Sequence, residues 1–331
     1  MARPLERTES LCPVCLKVLP AEIWERGDDV CLERTCPEHG PFSAVIWNGQ
    51  PSFQSWRRPK KPLTVRPQTP KSLGCPFDCG LCPDHGQYPC TVLVELTELC
   101  DLNCPVCFAN SGGPATPGDG RECFKSVEEL AESLLWIKKT AGEVVLQLSG
   151  GEPTLYPELP KLVAEAAKLF PAVQLNTNGL RLAKDPNLAK ALALNGLSWV
   201  FLQFDGVTDG VYESLRGQPL FAQKKAAIAA CESAGLSVVL VPTAVKGLND
   251  RELGPIVDYA RSEPIVRGVH VQPMTQAGRH HLSGPQFRLT IPEAIRAISD
   301  GATAHIRPEW AFPPGCEHER CSFHLRFRRM P

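Results

Sequence analysis

The stretch Cys100-Asp101-Leu102-Asn103-Cys104-Pro105-Val106-Cys107 decides how this chain is read. Its cysteines stand at spacing C-x3-C-x2-C, directly after a strand-like run, Thr91-Val92-Leu93-Val94-Glu95-Leu96. Three thiolates can hold three irons of a 4Fe–4S cube, a cluster ligated mainly by Cys, and leave its fourth iron open to a small molecule. A cube closed by a fourth cysteine stores electrons or supports structure, whereas one with an open iron is built for chemistry. Cys100, Cys104 and Cys107 are therefore the predicted catalytic metal ligands.

Outward from that loop the chain alternates. Apolar β-like runs fall at 91–96, 144–149, 172–177, 198–204, 236–243 and 266–272. Helix-like stretches lie between them at about 126–140, 157–170, 186–195, 221–234 and 250–262. Such alternation predicts an α/β fold with a parallel sheet and helices outside it. Six repeats make a partial (β/α)6 barrel of TIM type over residues 91–280, with its chemistry at the C-terminal ends of the strands. Val127, Leu130, Leu134, Leu135 and Ile137 give one helix an apolar face and are assigned to packing. Cys231, within a helix over 223–234, reads as a small core residue. One more helix is expected over 290–300.

The residues after each strand form a pattern. Ser149-Gly150-Gly151-Glu152-Pro153 follows the second strand, where two glycines allow close backbone approach and Glu152 offers a carboxylate to an ammonium group. Asn176-Thr177-Asn178-Gly179 follows the third, Gln203-Phe204-Asp205-Gly206 the fourth and Gln272-Pro273-Met274 the sixth. Polar groups thus recur along one rim.

Cysteine clusters flank the barrel. Residues 1–50 read as a small metal-binding domain with two knuckles, Cys12-Pro13-Val14-Cys15 and Cys31 with Cys36-Pro37-Glu38-His39-Gly40. Cys12, Cys15, Cys31 and Cys36 would hold one tetrahedral ion, a mononuclear iron or zinc. Residues 51–71 are rich in Pro, Arg and Lys and read as a linker. Residues 72–90 repeat the C-x3-C-x2-C spacing with Cys75, Cys79 and Cys82, and Cys90 can close the cube, so an auxiliary 4Fe–4S cluster is expected, with zinc as the alternative. A C-terminal extension over 281–331 carries Cys316 and Cys321 as further candidate ligands.

The 331 residues include 15 cysteines but no secretory signal, which points to metal in a reducing, cytoplasmic setting rather than to disulfides. With 35 basic and 36 acidic residues the formal net charge is -1, so no sequence-wide basic field for nucleic acid exists. The run Arg57-Arg58-Pro59-Lys60-Lys61 is read as a solvated linker, with a transient membrane-surface contact as the minor reading.

Cys100, Cys104 and Cys107 followed by Gly150-Gly151-Glu152-Pro153 resemble the radical S-adenosylmethionine superfamily. The resemblance implies that the open iron binds S-adenosylmethionine and that reductive cleavage of it yields a 5′-deoxyadenosyl radical. It implies that Glu152 holds the methionine ammonium, that Gly150, Gly151, Asn176, Thr177, Asn178, Gln203, Asp205 and Gln272 line the cofactor site, and that Phe108 stands where the aromatic partner of adenine is sought. A ferredoxin or flavodoxin would supply the electron. The knuckles, the segment Gly74-Cys75-Pro76-Phe77-Asp78-Cys79-Gly80-Leu81-Cys82-Pro83 and the Cys104–Cys107 ending together resemble the archaeal tetraether lipid synthase family and its bacterial relatives. That resemblance implies a rubredoxin-like iron, auxiliary clusters and carbon–carbon coupling of lipid chains. Methylation of a pterin or other small molecule is the alternative, and a non-catalytic iron–sulfur or zinc scaffold is the reading from another class. Members of that family continue beyond the position where Cys316 and Cys321 begin a further cysteine-bearing region.

Overall fold

Four strands open the chain: β1 (Ala2–Leu11), β2 (Val18–Arg26), β3 (Asp29–Cys36) and β4 (Gly40–Asn48). They pair antiparallel in the order β1-β2-β3-β4. The computed structural model describes residues 2–58, 67–74, 78, 82–83, 89–112, 124–315 and 318–327. It divides into two units, Met1–Tyr88 with Leu289–Asp300 and His305–Pro331, and Pro89–Arg288 with Gly301–Ala304.

In the first unit Leu19, Ala21 and Ile23 are buried at alternate positions of β2, as the period of a half-buried strand requires. Ile23 and Val30 pack with Trp47, Phe53, Trp56 and Ile295, the last from the helix Ile291–Gly301. The Trp47 ring lies 5.9 Å from that of Phe53 and 5.8 Å from that of Trp56. Both indoles are satisfied: Trp47 Nε1 donates to the Pro51 carbonyl and Trp56 Nε1 to that of Glu319, each at 2.6 Å. The stretch expected to be a linker from residue 51 therefore starts inside a hydrophobic core. Two buried aromatics outweigh the Pro-rich composition around them, each removing a large apolar area from water.

The second unit runs β5 (Thr91–Glu95), α1 (Val127–Ala141), β6 (Val145–Ser149), α2 (Leu159–Leu169), β7 (Ala172–Thr177), α3 (Leu180–Lys184), α4 (Pro186–Leu194), β8 (Trp199–Gln203), α5 (Asp209–Arg216), α6 (Phe221–Ser233), β9 (Ser237–Val241), β10 (Thr243–Ala244), α7 (Leu253–Ser262), β11 (Val266–Val269) and β12 (Gln272–Pro273). Its main sheet has the order β11-β9-β8-β7-β6-β5, and every pairing in it is parallel. Each strand lies beside its predecessor among the six. Right-handed crossovers all stepping in one direction put the helices on one face and the strand ends on one rim. Strands β10 and β12 form a separate parallel pair.

Near-continuous Val and Leu make the central strands, since a parallel sheet is covered on both faces. Leu146, Leu148, Leu175, Val200, Leu202, Val238 and Leu240 are buried to 1% exposure or less. Helix α1 starts at a capping box in which Ser126 accepts from Glu129 N–H and the Glu129 carboxylate accepts from Ser126 N–H. It buries Val127, Leu130, Leu134 and Ala141, whereas Leu135 is 55% exposed. Leu135 is one residue on from Leu134, about 100° round the helix, and so leaves the packed face. Helices α3 and α5 are too short to show a periodic signal and were not expected.

Candidate functional site

The cysteine loop leaves β5 and runs beside the end of β6. Leu96 N–H donates to the Ser149 carbonyl at 2.9 Å, Gly151 N–H to Thr97 at 2.7 Å and Glu152 N–H to Leu99 at 2.7 Å. The backbone of Gly150 and Gly151 is pressed against residues 96–99, where a Cβ on Gly151 would overlap the Glu98 and Leu99 carbonyl oxygens. The two glycines, expected to admit a ligand, admit the chain that carries Cys100. Cys100, Cys104 and Cys107 are all partly buried. Burial pushes the Cys100 thiol up to about 12, with the Glu152 and Asp101 carboxylates adding to it. Burial likewise raises Cys104, against the pull of the Arg216 guanidinium. A bound cation would favour the thiolate form of these raised thiols. Three thiols on one loop are the donor set that three corners of a cube take.

The strand ends behind the loop are densely bonded. Glu152 is 1% exposed, and its Oε1 accepts from Thr154 Oγ1 at 2.5 Å, Thr177 Oγ1 at 2.6 Å and Thr154 N–H at 3.1 Å. Its Oε2 accepts from Asn178 N–H at 2.8 Å. Burial raises its carboxyl, and these donors oppose the rise. The Glu152 carboxylate thus joins the ends of β6 and β7, satisfying a fully buried charge within the protein. Asn178 Nδ2 donates to Asp101 Oδ1 at 2.6 Å, which ties the β7 end to the cysteine loop. Asn176, partly buried, donates to Ser149 Oγ at 3.1 Å.

Asp205, at 0% exposure, faces no open cleft. Arg216 of α5 grips it twice, Nε to Oδ2 at 2.6 Å and Nη2 to Oδ1 at 2.8 Å. Thr243 N–H donates to Oδ1 at 2.9 Å, and Gln203 Nε2 donates to Oδ2. Asp205, expected to line the cofactor site, is the buried anion of a bidentate pair. Burial works against the Arg216 charge, and the Asp205 carboxylate more than restores it. Arg216 Nη1 also donates to the Val106 carbonyl inside the cysteine loop at 3.1 Å. Lys224 of α6, fully buried, donates to the Asn178 carbonyl at 2.5 Å and to Gln203 Oε1 at 2.6 Å. Burial pulls its ammonium down to about 8, although Asp205 and Glu152 pull the other way.

Two expected residues lie in the open. Phe108 is 69% exposed beside Cys107, and Gln272 is exposed on β12.

The ribbon brings a second set together. In a four-strand meander the first and third turns fall at one end, and they hold Cys12, Cys15, Cys36 and His39. Cys15 and Cys36 sulfurs are 3.9 Å apart, and His39 Nδ1 is 3.4 Å from Cys36 Sγ and 3.7 Å from Cys12 Sγ. A tetrahedral ion with metal–sulfur bonds of about 2.3 Å and metal–nitrogen bonds of about 2.0 Å requires S···S near 3.8 Å and S···N near 3.5 Å. Cys31 is not in the set: it sits within β3, paired with Trp24 and Val45, and five strand residues place it roughly 17 Å from Cys36. The Cys12 thiol is pulled down to about 6: burial opposes ionisation, but the Cys15 and Val14 amides and the neighbouring thiols favour it.

Cys82 is buried, and Cys90, just before β5, and Cys321 are exposed. Cys75, Cys79 and Cys316 lie outside the described residues. Cys231 is fully buried on α6, as expected.

Sequence reasoning missed His39, Arg216, Lys224 and Arg279, whose Nε donates to the Cys104 carbonyl at 2.7 Å. His39 had a signal, since Cys36-x2-His39 has knuckle spacing. Lys224 had one too, standing at helical spacing with buried Ala227, Ile228 and Cys231. Arg216 and Arg279 had none, because only folding brings them to the loop.

Known proteins agree with this geometry. Residues 4–48 match the family described as the HMPTM N-terminal zinc ribbon domain. The 7,8-dihydro-6-hydroxymethylpterin dimethyltransferase of Methanocaldococcus jannaschii is 37% identical over 316 residues, which is 93% of this chain and 61% of that protein. Molybdenum cofactor biosynthesis protein 1 of Bos taurus is 27% identical over 72% of this chain and 36% of its own length. The chain thus spans only part of both relatives. The crystal structure of Streptococcus suis SuiB bound to S-adenosylmethionine shares the fold over 64% of this chain and 46% of that one, at TM-score 0.50 and 15% identity. Residues 94–260, about half of the chain and the whole span from β5 into α7, match the Radical SAM superfamily, and the chain is an enzyme belonging to that superfamily.

Proposed function

We propose that this enzyme uses S-adenosylmethionine to methylate a reduced pterin. One observation carries the substrate: the 37% identity across 93% of the chain to a relative whose name states that activity. The zinc-ribbon match supports the same reading. Lipid-chain coupling, the first expectation from the residues, has no comparable support and gives way to it.

Cys100, Cys104 and Cys107 would hold the 4Fe–4S cluster, which when bound supplies the electron that opens S-adenosylmethionine. The surrounding residues position. Gly150 and Gly151 let β6 lie against the loop, while Glu152, Thr177 and Asn178 lock the adjoining strand ends. Asn176 and the exposed Phe108 are left as contacts for the bound cofactor or substrate. In the ribbon, three sulfurs and one imidazole favour zinc, since an all-sulfur set is absent from the observed corner. An auxiliary 4Fe–4S cluster on Cys75, Cys79, Cys82 and Cys90 and an external electron donor belong to the same proposal.

The test is anaerobic. The protein is reconstituted with iron and sulfide and given dithionite and S-adenosylmethionine, with 6-hydroxymethyl-7,8-dihydropterin or a long-chain lipid. The pterin is expected to stimulate 5′-deoxyadenosine formation and to gain methyl mass. Stimulation by the lipid and not by the pterin would overturn the substrate.

A further inference from the structure

We propose that Arg279 is a positioning residue for the S-adenosylmethionine-binding cluster, stapling the cysteine loop from the segment that follows β12. The proposal rests on the cluster reading above. Arg279 lies beyond the residues 94–260 that match the superfamily, so the match itself says nothing of it.

Five bonds from this one residue bracket two of the three cysteines. Its N–H donates to the Cys107 carbonyl at 2.9 Å, and its carbonyl accepts from Cys107 N–H at 2.8 Å. Nε donates to the Cys104 carbonyl at 2.7 Å, Nη2 to that of Ser111 at 2.7 Å and Nη1 to Asn110 Oδ1 at 3.4 Å. A planar guanidinium can span carbonyls that a lysine, a single point donor, cannot. Gly278 makes the approach possible: it adopts φ +66°, and a Cβ there would overlap the Cys107 and Phe108 carbonyl oxygens. The chain leaving β12 is therefore built to touch the loop.

Two consequences follow. The staple fixes where the sulfurs of Cys104 and Cys107 sit. Its positive charge, beside thiolates that bear a reducible cluster, favours the reduced and more negative state, because cluster potential follows local charge and hydrogen bonding.

The readout is the part of the reduced protein's EPR signal that shifts when S-adenosylmethionine is added, because a fully ligated cluster does not respond. In the full chain, R279Q should weaken or broaden that responsive signal and make its midpoint potential more negative. R279K should recover the potential through its charge but not the line shape. G278A, which keeps the arginine, should reproduce the altered line shape. If R279Q loads no cluster, amide exchange at Cys107 in the apoprotein replaces the spectrum, and faster exchange is expected. Unchanged spectra and potentials in R279Q and G278A, or unchanged Cys107 exchange, would overturn the role of Arg279. An unsubstituted protein without any responsive signal would overturn the cluster reading beneath it.

Discussion

His39 replaces a cysteine at the fourth corner of the ribbon. The swap exchanges Cys31, within β3, for His39 in the turn where Cys12, Cys15 and Cys36 already converge. His39→Ala is expected to lose bound metal, and Cys31→Ser to keep the full complement, when metal content is measured by mass spectrometry on the purified protein. Equal losses in both would return Cys31 to the site. A second residue-scale effect concerns Asp205. Replacing it with Asn leaves Arg216 buried and half-paired, at a cost of about 3–5 kcal/mol. Urea unfolding of the second unit should show that loss. The double replacement Asp205→Leu with Arg216→Met should cost less than the sum of the singles, since no orphaned charge remains.

Among the elements, α6 carries a lysine into the core behind the strand ends. Lys224 titrates near pH 8 in the folded protein, below its ordinary value of 10.5. Between those values the unfolded chain binds the extra proton, so unfolding free energy rises with pH across that window and the penalty of the buried ammonium is fullest below it. A Lys224→Met variant lacks this term. The stability of the natural protein relative to Lys224→Met should therefore increase from pH 8 towards 10.5, as followed by urea midpoints at constant ionic strength. A flat or falling difference would mean that the amine is solvated. The same strand ends show how an element can mislead. Gly150-Gly151-Glu152, read from the sequence as a ligand cradle, is bonded within the protein to Thr97, Leu99, Thr154, Thr177 and Asn178. It holds the loop that carries Cys100.

At the scale of the molecule, one unit contains a small β-meander whose turns gather three cysteines and a histidine, and the other a parallel six-strand sheet. A meander of four strands has a modest core, so much of its stability is expected to reside in the metal. A chelator strong enough to strip the ribbon should speed amide exchange in β1–β4 many-fold and leave β6–β9 near their starting protection, as read by hydrogen–deuterium exchange with mass spectrometry. Equal protection before and after would assign the ribbon's stability to its Trp47 core instead. Among the described residues no helix is long and apolar enough to cross a membrane.

The order of strands and helices was legible because each buried strand is a run of Val and Leu and each longer helix repeats at helical spacing, patterns that depend on neighbours in the chain. The spacing of Cys100, Cys104 and Cys107 was legible for the same reason, as the three stand on a single loop. What those loops do to one another was not. That Asp205 pairs with Arg216, that Glu152 is filled by Thr154, Thr177 and Asn178, that Arg279 reaches Cys104 and Ser111, and that His39 rather than Cys31 completes the ribbon are facts of which groups share a buried volume. Burial makes an unpaired charge or donor costly, so each finds the partner that folding brings within reach, and distance along the chain does not predict that partner. The sequence by itself determined the scaffold and the cysteine motif; the tertiary structure decided which of the polar residues around them are paired with one another inside the protein, because burial leaves none of those charges unpaired.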